Sequence, residues 1–158
     1  MIKSSTEFAP RTSVLQVEEG TDLAPKFNAD GFIPVITTDH ESGEVLMMGV
    51  MSPDALSRSI ETGEAHYWSR SRSCLWHKGA TSGLVQKIVE MRIDDDQDAI
   101  WLRVAINGGA SCHVGYRSCF YRSVPLGGTG APTLRFEESE KVFDPLAVYG
   151  DAPNPTRL

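Results

Sequence analysis

The stretch Val89-Glu90-Met91-Arg92-Ile93-Asp94-Asp95-Asp96-Gln97-Asp98-Ala99-Ile100-Trp101-Leu102-Arg103-Val104-Ala105-Ile106 carries the reading of the fold. At its start Val89, Met91 and Ile93 alternate with Glu90 and Arg92; at its end Ile100, Leu102, Val104 and Ile106 alternate with Trp101, Arg103 and Ala105. Successive side chains of an extended chain point to opposite faces, so a period of two predicts strands that bury one face each. Downstream, Asn107-Gly108-Gly109 permits a tight reversal, and Ser118 to Val124 is expected to add a further strand. Upstream, the apolar runs Phe32 to Thr37 and Val45 to Val50 flank the polar Asp39-His40-Glu41-Ser42-Gly43, which predicts strand, turn, strand. One helix is expected, from Pro53 to Thr62: Ser52 caps it, Pro53 tolerates a first helical position, and Gly63 supplies the left-handed stop. The expected class is therefore α+β, a β-rich single domain with one or few helices.

The boundaries follow from where periodicity fails. Residues 1–30 mix polar and apolar types, and residues 124–158 hold Gly127-Gly128-Thr129-Gly130-Ala131-Pro132 and Pro153-Asn154-Pro155. Both read as extensions around a compact domain over 31–123. With 158 residues, 41% hydrophobic and 23% charged, the chain buries roughly two thirds of its unfolded surface and needs no metal merely to fold. Fifteen Lys plus Arg against 21 Asp plus Glu give a net charge of -6, which argues against general nucleic-acid and anionic-membrane binding. No run approaches the ~20 apolar residues of a membrane span, and the polar start Met1 to Glu7 lacks a signal-peptide core. A cytoplasmic protein is expected. Its three cysteines then suggest thiolate chemistry over disulfides.

Three segments could carry chemistry. In the acidic run, continued alternation would send Asp94, Asp96 and Asp98 to one side and Asp95 to the other, and oxygen donors gathered on one face suit Mg²⁺. A solvated acidic turn is the plainer reading. An EF-hand is excluded, because Ala99 and Ala105 stand where it needs Gly and Glu. In Ser111-Cys112-His113-Val114-Gly115-Tyr116-Arg117-Ser118-Cys119-Phe120, two thiols and an imidazole lie among polar neighbours. Buried structural thiols compete there with a zinc site. In Tyr67-Trp68-Ser69-Arg70-Ser71-Arg72-Ser73-Cys74-Leu75-Trp76-His77-Lys78-Gly79-Ala80-Thr81-Ser82-Gly83, strand alternation would separate the serines from Arg70 and Arg72. Guanidinium groups, Lys78, the Thr81 and Ser82 hydroxyls and glycine N–H groups together suit phosphate; an exposed soluble strand is the alternative.

Taken in this order and spacing, these segments with Glu44-Val45-Leu46-Met47 closely resemble the phosphoribosyl-AMP cyclohydrolases of histidine biosynthesis, over about Phe32 to Arg122. The resemblance implies an intertwined homodimer with shared zinc sites, Zn²⁺ on Cys112 and Cys119, and Mg²⁺ on Asp94, Asp96 and Asp98. Arg70, Ser71, Arg72, Trp76, Lys78, Thr81 and Ser82 would then bind phosphoribosyl-AMP. The family has Cys between the first two aspartates where this chain has Asp95, so Asp95 is expected to complete or support the zinc site, with Cys74, His77 or His113 as alternatives. A carboxylate is a harder, less strongly donating ligand than thiolate.

The implied reaction is hydrolytic opening of the adenine ring between N1 and C6. Alkylation at N1 polarises C6, and a water acidified by zinc attacks it. His113 is the first candidate for proton transfer, against a purely orienting role. A zinc-stabilised nucleotide-binding module without catalysis is the competing class. A second, pyrophosphohydrolase activity finds too few residues and no acidic helical pattern after Arg122.

Overall fold

The computed structural model describes residues 6–158; the polar start Met1 to Ser5, whose reading argued against a leader, lies outside them. The strands are β1 (Ile33–Asp39), β2 (Val45–Met51), β3 (His66–Ser69), β4 (Cys74–His77), β5 (Gln86–Ile93), β6 (Ile100–Ile106), β7 (Arg122–Ser123) and β8 (Arg135–Phe136). The helices are α1 (Val14–Glu19), α2 (Pro53–Thr62) and α3 (Pro145–Tyr149). The chain is mixed α+β and rich in strand, as expected.

The two alternating stretches form an antiparallel pair at one side of a four-stranded sheet of order β2-β1-β6-β5. β1 lies parallel to β6 and antiparallel to β2. Inward residues Val35, Leu102 and Val104 meet Leu46, Met51 and the Ala55–Leu56 face of α2 in one core. Fully burying a residue such as Leu56 contributes about 1.5–3 kcal/mol. α2 has the expected bounds: the Ser52 hydroxyl accepts from Ala55 N–H at 3.2 Å, and Gly63 closes the helix at φ 71°.

The outward face keeps apolar residues. Met48 lies opposite Ile36, and Ile36 opposite Trp101, across three neighbouring strands, and Met48 and Ile36 are exposed. Val89 joins the exposed apolar residues, at 55% exposure, against the alternation that placed it inside. The register of β5 slips between Ile88 and Glu90, so a bulge at Val89 hands the inward position to Ile88.

The other departures are also local. Ser118 to Val124 contributes only the two-residue β7. Both terminal stretches dock on the domain: Phe8 and Phe27 pack against the core, and Glu137 N–H and Glu138 N–H donate to Tyr121 O. Among the described residues no helix is long and apolar enough to cross a membrane.

Candidate active site

Elements that lie apart in sequence converge on a cleft of about 1360 Å³. One wall is the β3–β4 hairpin. The chain leaves the strand after Ser69, so Arg70 to Ser73 form its turn, with Ser73 at φ 50°. The expected alternation of serines against arginines therefore does not apply, and Arg70, Ser71 and Arg72 all line the cleft. The Ser69 hydroxyl holds the turn by accepting from Arg72 N–H at 3.3 Å. Trp76 presents its ring beneath Arg72 and Lys78, whose charges stand 5.7 and 5.0 Å from the ring centroid. Thr81 and Ser82 complete this side from the loop after β4.

Lys78 is 3% exposed and donates through Nζ to Ser111 O at 2.8 Å. Burial lowers its pKa, while the nearby Cys119 and Cys112 oppose that shift. The buried bond ties the hairpin to the cysteine segment. Behind it, Tyr67 Oη bonds Thr37 Oγ1 and donates to Gln86 Oε1, both at 2.7 Å, and Gln86 Nε2 donates to Ser111 Oγ at 3.2 Å. Every polar group of this wholly buried chain finds a partner, which is the condition for keeping it in a core.

The cysteine segment is a loop folded back on itself. Ser111 N–H donates to Arg117 O and Cys112 N–H to Tyr116 O, and Cys119 N–H then bonds Leu46 O at 2.7 Å. These bonds return Cys119 to Cys112, and the two thiols hydrogen-bond. That bond is the largest influence lowering Cys112 to about 6, with burial opposing and Val114 N–H and Lys78 assisting. Cys119 is pushed up by the same bond and by burial. The pair is poised as one thiolate and one thiol. Two soft sulfur donors side by side suit zinc by donor chemistry. Among the described residues no third His, Cys, Asp or Glu joins them in a set mutually within 4.8 Å.

His113 lines the cleft, as Cys119 does. Burial lowers its pKa, and Lys78 adds to that. Its Nε2 is buried without a hydrogen-bond partner, an orphaned atom of the kind that accompanies a ligand-binding site.

The acidic run lies elsewhere. β5 ends at Ile93 and the run forms a turn, so strand alternation does not turn Asp95 away. Carboxylate oxygens of Asp94, Asp95 and Asp96 gather within 4.8 Å of one another. Asp94 Oδ1 accepts from Asp98 N–H and Ala99 N–H at 2.9 and 3.1 Å. Asp98 is raised to about 6 by hydrogen bonding with Asp94 and then Asp96. Hard oxygen donors in this number suit Mg²⁺. The turn precedes β6 and the thiols follow it, and seven strand residues separate the two by roughly 20 Å within one chain. Of the other zinc alternatives, Cys74 is exposed on β4. His77 bonds Glu64 Oε2 at 2.7 Å and stacks on His66.

Sequence reasoning missed Glu138, whose carboxylate accepts from Arg117 N–H and Ser118 N–H at 3.0 and 3.1 Å and so braces the cysteine loop. It missed Gln97, which clamps the N-terminal segment to the acidic turn. Neither carries a local signal, since both act on backbone distant in sequence. Glu44 lies in a matched stretch and forms an ion pair with Arg117.

Comparison with known proteins bears on the family of the chain. Residues 47–121 match the family model described as phosphoribosyl-AMP cyclohydrolase. A protein of Rhodopseudomonas palustris with that name is 55% identical over 134 residues, covering 85% of this chain and 89% of its own. One from another strain is 49% identical over 145 residues, covering 92% and 99%. A Nitrobacter hamburgensis protein of the same name is 49% identical over 133 residues, covering 84% and 90%. Relatives about half identical over nearly their whole length show that the chain belongs to the phosphoribosyl-AMP cyclohydrolase family.

Proposed function

We propose that this protein hydrolyses the N1–C6 bond of phosphoribosyl-AMP, a hydrolase acting on a cyclic amidine in histidine biosynthesis. The observation that carries the reading is the convergence of the Cys119 thiol, His113, buried Lys78 and the arginine turn on one cleft. Water adds to C6, the C6–N1 bond breaks, and the oxygen remains on C6 as a carboxamide while N1 gains the proton. Arg70, Arg72 and Lys78 bind anionic substrate groups, and Trp76 offers a stacking surface for the purine. His113 moves the proton between the attacking water and N1. Cys112 and Cys119 would hold zinc, which when bound lowers the pKa of water to about 7. Asp94, Asp96 and Asp98 would hold Mg²⁺, which commonly joins carboxylates to phosphates.

Among the described residues no third donor joins the thiol pair, and the sheet exposes Met48 and Ile36. Both features support a homodimer with shared zinc sites in which Asp95 of a second copy supplies the missing donor. The reading places the enzyme in the cytoplasm, with its biosynthetic substrate.

The test is the ultraviolet change on ring opening, read beside metal content. Cys112→Ser and Cys119→Ser should each lose both zinc and turnover. Full activity in a zinc-free variant would end the zinc assignment, and a zinc-loaded wild type that opens no ring would favour the binding module.

A further inference from the structure

The cleft has a wall outside the residues that match the family model. After β8 the chain crosses the cysteine loop, where Val142 N–H donates to Gly115 O at 2.7 Å. Gly115 sits at φ +105°, and a Cβ there would stand 2.5 Å from Phe143 O, so only glycine allows so close an approach. The tail then continues past α3 along the cleft. Asn154 faces His113 as a polar neighbour, while its Oδ1 accepts from Thr156 N–H at 2.8 Å. At the far end Arg157 Nη2 donates to Ser71 O at 3.0 Å.

This last bond brings a third guanidinium to the turn that already carries Arg70 and Arg72. Among the described residues none of the three has a carboxylate partner, whereas Arg58, Arg92, Arg103, Arg117 and Arg135 all do. Three like charges beside one backbone turn repel one another unless an anion joins them. Phosphoribosyl-AMP, the ligand of the proposed function on which this step rests, carries two phosphate monoesters at the ends of two ribose arms. A site for it needs two anion-binding ends.

We propose that Arg157 is a substrate-binding residue that completes, with Arg70 and Arg72, the subsite for one of these two phosphates. The C-terminal segment is thereby part of the binding site. Guanidinium is the fitting group, because it can donate two parallel bonds to a phosphate while keeping a further N–H on Ser71 O.

The test uses the full-length protein as wild type, Arg157→Ala and Arg157→Lys. Calorimetry measures binding of two probes, AMP and ribose 5-phosphate, which represent the two arms separately and require no turnover. Loss of a charge-assisted contact predicts about tenfold weaker binding of one probe to Arg157→Ala, the other unchanged, with partial recovery in Arg157→Lys. The ring-opening assay should show KM raised by a similar factor and kcat within about twofold, as expected for an interaction made equally in ground and transition states. Unchanged binding of both probes overturns the proposal, and so does a fall in kcat at constant KM, which marks a purely structural tail. Wild-type turnover tests the proposed function on its own; the ratio of variant to wild-type binding tests Arg157.

Discussion

Replacing Gln97 tests how the N-terminal segment and the acidic turn support one another. Gln97 is 4% exposed and adopts φ +57°. Its Oε1 accepts from Ala24 N–H at 2.8 Å, and its Nε2 donates to Val17 O at 2.9 Å and Asp22 O at 3.2 Å. Ala24 is fully buried and Val17 nearly so. Gln97→Ala therefore strands a buried donor and a buried acceptor, at about 1–3 kcal/mol each, while Asp22 O can turn to water. The expected loss is about 2–6 kcal/mol, a large share of the roughly 5–15 kcal/mol that holds a domain folded.

Backbone conformation supplies an internal control. A side chain in the left-handed region costs about 1–2 kcal/mol that glycine does not incur. Gln97→Gly should consequently be about 1 kcal/mol less damaging than Gln97→Ala, the reverse of the order at an ordinary position. Urea unfolding of the three proteins, fitted by linear extrapolation, measures both differences. If both variants lie within about 0.5 kcal/mol of wild type, the range of an uninvolved surface change, the clamp contributes nothing. Alanine matching or exceeding glycine would refute the strain at this position.

Two further outcomes follow from the buried chain and the acidic turn. Tyr67→Phe removes the hydroxyl between Thr37 and Gln86, leaving a wholly buried acceptor unpaired, and should cost about 1–3 kcal/mol in urea unfolding; a loss below about 0.5 kcal/mol would show that the network relaxes freely. Asp98, raised to about 6 by hydrogen bonding with Asp94 and Asp96, keeps its proton longer in the folded protein than in the unfolded one. Its contribution to stability is therefore full below the ordinary value of 3.8 and lost as pH rises through about 6. Carbon-detected NMR titration should place the Asp98 midpoint near 6 without divalent cation and well below that with saturating Mg²⁺, whereas a metal-free midpoint near 4 would remove the shared proton.

Local chemistry was legible in the chain wherever its cause was local. The helix bounds at Pro53 and Thr62 follow from one cap, one proline and one glycine, and β6 follows from a period of two. The serine-arginine stretch, the aspartate run and the cysteine loop were each visible as unusual groupings, because ligand-type side chains cluster there in sequence. Alternation misled only where the backbone left the strand: at Val89, where a bulge slips the register; after Ser69, where the hairpin turns; and after Ile93, where the acidic run curls its carboxylates together. The tertiary structure alone decided what meets across long separations. Gln97 reaches residues 73 to 80 positions away, and Arg157 reaches Ser71 across 86. Such contacts pair a side chain with a backbone group, which every residue possesses, so no residue type at the far end announces them. The closed wall of the cleft is thus a property of how the chain is wound, while the chemistry it encloses is a property of which residues the chain contains.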